Sequence, residues 1–168
     1  MPGHISFTFC PKCATRLEPK TILGEDHEVC PACGWTHYED PKVACLALLM
    51  ETGRVLLVQR TMLPFIGQWS LPAGFVNAFE LPEDAVVREV LEETGLAVQV
   101  LRLVTVLSGR EHPRGADILL VYQVERVGGD LRAGDDAGDA AWFALDALPP
   151  LAFHSTRKIL ELAIASSK

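Results

Sequence analysis

The 168-residue chain has no long apolar run: the longest, Val43 to Met50, is eight residues. A membrane-spanning helix needs about 20, so none is expected. Met1 to Phe9 contains no basic stretch followed by an apolar one, so no signal peptide is expected and the cytoplasm is the expected compartment. Basic residues are also scarce, with 15 Lys and Arg against 22 Asp and Glu and a net charge of -7. That disfavours nucleic acid and anionic membrane as partners, since both need basic patches. Repeats and low-complexity tracts are absent. With 49% hydrophobic and 22% charged residues, the chain is long enough and apolar enough to bury a core as one domain with a small appendage.

Four of the five cysteines fall within the first forty residues, as Cys10-Pro-Lys-Cys13 and Cys30-Pro-Ala-Cys33, with sixteen residues between the pairs. In a reducing compartment this spacing reads as a metal site rather than disulfides. Four thiolates complete a tetrahedral Zn2+ shell and leave no open position, so such a site is structural. A segment this short needs the metal to fold. Lys12, Arg16 and Lys20 are outnumbered there by Glu18, Glu25, Asp26, Glu28, Glu39 and Asp40, which disfavours a nucleic-acid ribbon. His4, His27 and His37 are surplus to a four-cysteine site. Cys45 lies inside an apolar strand and reads as a small core residue.

Pro41 marks the expected boundary, giving a ribbon at 1–40 and a second domain at 41–168. Beyond it, strands are expected over Val43–Met50 and Arg54–Arg60, joined by a turn at Glu51-Thr52-Gly53. Thr61–Gly74 reads as a loop. A helix is expected over Pro82–Thr94, with Pro82 in its first turn and Gly95 as its stop. Ala97–Leu107, Asp117–Glu125 and Ala140–Leu145 read as strands. Gly128–Gly138 is a polar loop, and Ser155 is the expected cap of a last helix. This order predicts a mixed sheet between helices.

On the Pro82–Thr94 helix, Val86, Val87, Val90, Leu91 and Thr94 form an apolar stripe. Glu89, Glu92 and Glu93 share another face at i, i+3 and i+4, with Arg88 as the nearby cation. Clustered carboxylates repel, and a divalent ion relieves this; an all-oxygen set suits Mg2+ or Mn2+. A solvated acidic face is the competing reading of these three glutamates alone.

The wider spacing is Gly74-x5-Glu80-x7-Arg88-Glu89-Val90-x-Glu92-Glu93-x-Gly95-Leu96. It resembles the Nudix box. The resemblance implies an α/β/α sandwich with a mixed sheet, here preceded by a four-cysteine zinc ribbon. It also implies a pyrophosphatase that uses Mg2+ or Mn2+ to cleave a nucleoside diphosphate linked to another moiety, releasing a nucleoside monophosphate and a phosphorylated moiety. By resemblance Glu89, Glu92 and Glu93 hold the catalytic metals, the Ala73 carbonyl adds a ligand, and Glu80 pairs with Arg88 to brace the loop against the helix. Glu92 is the first choice of base within the helix.

Further segments are similar to the zinc-ribbon group of that family, which acts on ADP-ribose, FAD and NADH. They are Asp40-Pro41-Lys42-Val43, Gly67-x-Trp69-x-Leu71-Pro72-Ala73-Gly74, Trp142-Phe143-Ala144-Leu145 and Leu151-Ala152-Phe153. The Ser-Gln-Pro-Trp-Pro-Phe-Pro signature of the NADH branch is missing after Leu96, so NADH is disfavoured. The C-terminal segments resemble the branch with plant FAD pyrophosphatases, so FAD or ADP-ribose is favoured. Two positions depart from the family pattern: Asn77 stands where many members have Glu, and Phe79 where many have Gly. They motivate the alternative of a catalytically silent, nucleotide-sensing domain. Asp136 and Asp139 are candidate extra acids, or a solvated loop. Arg60, Arg110 and Arg114 are candidate phosphate contacts, and Phe65, Trp69 and Phe75 candidate stacking residues or core. A small-molecule nucleotide is the expected partner, and a homodimer is the assembly considered.

Overall fold

A computed structural model describes residues 7–112, 115–134 and 137–166. They fall into two compact units, one ending at Asp40 and one beginning at Pro41.

The first unit is built on a hairpin of β1 (Glu18–Ile22) and β2 (Glu25–Val29). Leu23 and Gly24 form its two-residue turn at φ 51° and 91°, as a tight hairpin connection of matching twist requires. Each Cys pair is followed by a left-handed residue, Ala14 at φ 57° and Gly34 at φ 73°. Their N–H groups donate to the carbonyls of Cys10 and Cys30, so both pairs turn in the same way. The buried centre is Cys10, Leu17 and Cys30, with Trp35 packed on it. That is too little apolar matter to hold forty residues without help.

The second unit centres on β3 (Val43–Glu51), the longest apolar run. Its alternate side chains serve two cores. Cys45, Ala47 and Leu49 face the cluster containing Val86 and Val90 of α1 (Pro82–Thr94). Leu46 and Leu48 face the cluster containing Ile159 and Leu160 of α2 (His154–Ser166). A strand buried on both faces reads as a continuous run, and this is the α/β/α arrangement that the sequence predicts. β4 (Arg54–Arg60) returns through the expected turn and pairs with β5 (Trp69–Ser70) and β9 (Ala137–Ala144). β3 also pairs antiparallel with β6 (Ala73–Phe75) and parallel with β8 (Ile118–Gly129), and β7 (Leu96–Ser108) lies antiparallel beyond β8. The sheet is therefore mixed. Among the described residues no helix is long and apolar enough to cross a membrane.

The structure corrects three local expectations. Thr61–Gly74 is not all loop, because β5 lies within it and β6 begins in it; strands this short leave no periodic signal. Ser155 does not cap α2. It sits inside the first turn, and Glu111 accepts the N–H groups of His154 at 2.7 Å and Ser155 at 2.9 Å. Leu91 is exposed, and the buried face of α1 runs instead through Ala85, Val86, Val90, Glu93 and Thr94.

Candidate active site

Helix α1 begins at Pro82, whose missing N–H costs nothing in a first turn, and Glu83 and Asp84 favour its positive end. It ends at Gly95, left-handed at φ 69°, whose N–H donates to the Leu91 carbonyl. The N–H groups of Arg132 and Gly134, beyond β8, take the carbonyls of Thr94 and Glu93. The polar loop thus satisfies the helix C-terminus.

This fixes the glutamates over β6. Gly74 pairs with Cys45 of β3, and Glu89 lies directly against it. A β-carbon at position 74 would fall 1.9 Å from the Glu89 Cδ, so any other residue there must push the Glu89 carboxylate out of its place. Glu93, on the same helical face as Glu89, is not solvated. It is only 8% exposed, and its carboxylate accepts the Ala73 N–H at 3.0 Å. Ala73 therefore meets Glu93 through its N–H, a contact the sequence gives no sign of.

Arg88 joins the remaining carboxylates. Its Nε donates to Glu80 Oε1 at 2.8 Å and its second guanidinium nitrogen to Glu80 Oε2 at 3.0 Å, the bidentate geometry that makes arginine–carboxylate pairs strong. The first guanidinium nitrogen reaches Glu89 at 2.7 Å and Glu92 at 3.0 Å. A further bond runs to the Phe75 carbonyl at 3.2 Å. Glu80 also accepts the Asn77 N–H at 2.9 Å. Arg88 and this N–H lower the Glu80 carboxyl to about 2, and the same carboxylates raise the Arg88 guanidinium further. Beside them, burial pushes the Cys45 thiol up to about 12, which keeps it a neutral core group. Phe79, in the loop before α1, sits at φ 68° and is fully exposed.

Glu89 and Glu93 line a cavity of about 480 Å³. Phe75, Asn77, Arg60 and Phe153 are also in its lining. Phe65 packs edge-on against Phe153 at 5.5 Å, and Trp69 packs on Phe143 at 4.6 Å as part of the α2-side core. Arg110 is ion-paired with Asp117 at 3.3 Å. Asp139 is exposed in β9, where its carboxylate accepts the Ala140 N–H. Asp136 and Arg114 lie outside the described residues. Glu111, which the sequence analysis passed over, lines the cavity; no local pattern marks a residue that caps a helix more than forty positions away.

In the first unit the sulfurs of Cys10 and Cys33, Cys13 and Cys30, and Cys13 and Cys33 stand 3.6, 3.5 and 3.6 Å apart. All four lie within 4.8 Å of one another. Zn–S bonds of about 2.3 Å at a tetrahedral centre place sulfurs about 3.8 Å apart. The cluster therefore has the dimensions of a four-thiolate metal site.

The family description "NUDIX domain" matches residues 38–163. The chain belongs to the Nudix family. The Nudix N-terminal zinc ribbon matches residues 8–39, and the enzyme class expected from the box, a Nudix pyrophosphatase, stands with it. An ADP-ribose pyrophosphatase of Methanocaldococcus jannaschii is 44% identical over 123 residues, 73% of each chain. The NAD-capped RNA hydrolase NudC of Pseudomonas aeruginosa is 35% identical over 164 residues, 94% of this chain and 55% of that one. The present chain thus spans little more than half of that relative. The crystal structure of a NUDIX hydrolase from Nitrosomonas europaea superposes with a TM-score of 0.82 at 26% identity, covering 92% of this chain and 89% of that one.

Proposed function

We propose that this Nudix protein is a divalent-metal-dependent pyrophosphatase acting on ADP-ribose, with FAD a weaker substrate and NADH disfavoured. Water adds to one phosphorus, the bond to the bridging oxygen breaks, and a nucleoside monophosphate and a sugar phosphate leave. The observation that carries this reading is the set of Glu89 and Glu93 in one cavity, with Glu89 pressed on the Gly74 backbone and tied with Glu92 to Arg88.

Glu89 and Glu92, which share the Arg88 guanidinium, and Glu93, beside Glu89 in the cavity lining, have the donor chemistry for Mg2+ or Mn2+. Glu89, Glu92, Glu93 and the Ala73 carbonyl are the proposed ligands. A bound ion supplies charge neutralisation at the phosphate oxygens and acidifies water. Glu92 is the proposed proton acceptor. Glu80 and Arg88 hold the loop to the helix so that the glutamates keep their places. Zn2+ is proposed for Cys10, Cys13, Cys30 and Cys33, in a ribbon at 1–40 ahead of a Nudix domain at 41–168.

ADP-ribose is preferred over FAD because the Methanocaldococcus relative carries that activity in its name. The NudC relatives are named for NAD-capped RNA. Against RNA for this chain stands the net charge of -7, which repels a polyanion outside the metal site. The cytoplasm is the proposed compartment.

The test is a panel of ADP-ribose, FAD, NADH, diadenosine polyphosphates, deoxynucleoside triphosphates and NAD-capped RNA with the purified chain and Mg2+ or Mn2+. ADP-ribose is expected to be cleaved fastest, and Glu92→Gln to lower kcat by about 100-fold or more. No product from any of them overturns the proposal. The departures from the family pattern at Asn77 and Phe79 motivate a second reading, a silent nucleotide sensor; tight ADP-ribose binding without turnover would support it.

A further inference from the structure

Helix α1 carries two of its glutamates at its unfavourable end. Glu92 and Glu93 stand in the last turn, which holds no basic residue, and the negative end of a helix dipole disfavours carboxylates. Terminal turns also fray where their last carbonyls lack partners.

The segment after β8 supplies what this turn lacks. The Arg132 N–H donates to the Thr94 carbonyl at 2.9 Å, and the Gly134 N–H to the Glu93 carbonyl at 3.1 Å. The Arg132 side chain lies across Gly95, where a β-carbon would come 2.8 Å from its Cγ and 3.1 Å from its Nε. A cation therefore sits at the negative end. Gly134 is pressed on the turn itself: a β-carbon there would fall 2.5 Å from the Glu92 carbonyl oxygen. That neighbour is helix backbone and cannot swing aside as a flexible side chain can. Alanine at 134 must push the turn away or lift the segment off it, and either releases the turn. On its other side the Gly134 carbonyl accepts the Ala137 N–H at 3.0 Å. Ala137 opens β9, lines the cavity and stands opposite Arg60 of β4. One residue thus joins the glutamate-bearing turn to another part of the cavity lining.

We propose that Gly134 is a positioning residue of the metal site: its backbone holds the last turn of α1 where Glu92 and Glu93 can share a divalent ion with Glu89. This rests on the metal-binding part of the reading above and not on the choice of substrate. Groups that orient metal ligands without touching the ion are worth about 10–100-fold in metal affinity.

Calorimetry with Mn2+ on the zinc-loaded chain compares wild type, Gly134→Ala and Ile159→Val, each at a temperature where circular dichroism shows it folded. Ile159 belongs to the α2-side core and controls for a loss of stability alone. Gly134→Ala is expected to weaken Mn2+ binding about tenfold or more. Ile159→Val lowers the melting temperature and leaves the affinity within about twofold. Wild-type affinity in Gly134→Ala overturns the proposal, and so does an equal loss in both variants, which marks a stability effect. Should alanine prevent folding, wild type decides. Coupling between two sites is reciprocal, so saturating Mg2+ is expected to slow hydrogen exchange of the Arg132 and Gly134 amides about tenfold; unchanged exchange overturns the proposal. A wild type that binds no Mn2+ overturns this proposal and the metal-dependent reading together. One that binds Mn2+ and cleaves nothing in the substrate panel overturns the pyrophosphatase alone, and the affinities then decide the role of Gly134.

Discussion

Gly74 touches Glu89 so closely that a β-carbon placed on it would lie 1.9 Å from the carboxyl carbon. Gly74→Ala must therefore displace either the carboxylate or the helix that bears it. Overpacking of this kind costs about 1–3 kcal/mol, and a shift of about 1 Å in a catalytic group lowers turnover by about 100-fold. Urea midpoints and kcat measure the two effects. In Gly74→Ala/Glu89→Ala the stability loss is expected to shrink, because the clash is removed.

The brace between Glu80 and Arg88 gives stability a defined acid limit. The Glu80 carboxyl falls from its ordinary value of 4.5 to about 2 in the folded chain. A depressed carboxyl stabilises fully above its unfolded pKa, and that contribution is lost as pH falls through the folded one. Wild type should melt above Glu80→Gln at neutral pH, and the two melting curves should converge between pH 4.5 and about 2. Curves that stay parallel across that window would count against the brace.

Phe79 is fully exposed and left-handed, at φ 68°. The ring contributes little packing while the backbone is strained, at a cost of about 1–2 kcal/mol for a residue with a β-carbon. Phe79→Gly removes the strain but loosens the unfolded chain. A net gain of about 1 kcal/mol in denaturant midpoint is expected.

Metal analysis of freshly prepared protein should find one zinc per chain. Cys10→Ser or Cys30→Ser, at the two buried ligands, should abolish it. Residues 7–40 should then become sensitive to protease, because Cys10, Leu17, Cys30 and Trp35 alone are too small a core. Protease resistance in zinc-free protein would contradict this.

Local signals that carry their own physics were readable from the sequence. Pro82 and Gly95 bound α1 as expected, since a missing N–H and a left-handed stop act on the chain wherever it lies. The eight-residue run from Val43 became β3, buried on both faces. What depended on distant partners was not readable. Glu93 turns inward because the Ala73 N–H lies beneath it, and Leu91 is exposed because the buried stripe runs through Ala85 and Glu93. Ser155 lost the cap position to Glu111, a longer side chain from the loop between β7 and β8. Trp69, a candidate for stacking, packs on Phe143.

The parallel pairing of β3 with β8 couples Val43 to Ile118 and Leu49 to Val124. The two strands are separated along the chain by β4 to β7 and α1, and contacts so far apart in sequence form slowly. The β7–β8 hairpin is local by comparison. During refolding, amides of β7 and β8 facing each other should gain exchange protection before those between β3 and β8. The cavity that holds Glu89 and Glu93 also needs β3, through Ala44 and Leu46, so catalytic competence should arrive with the slowest folding phase and not before it.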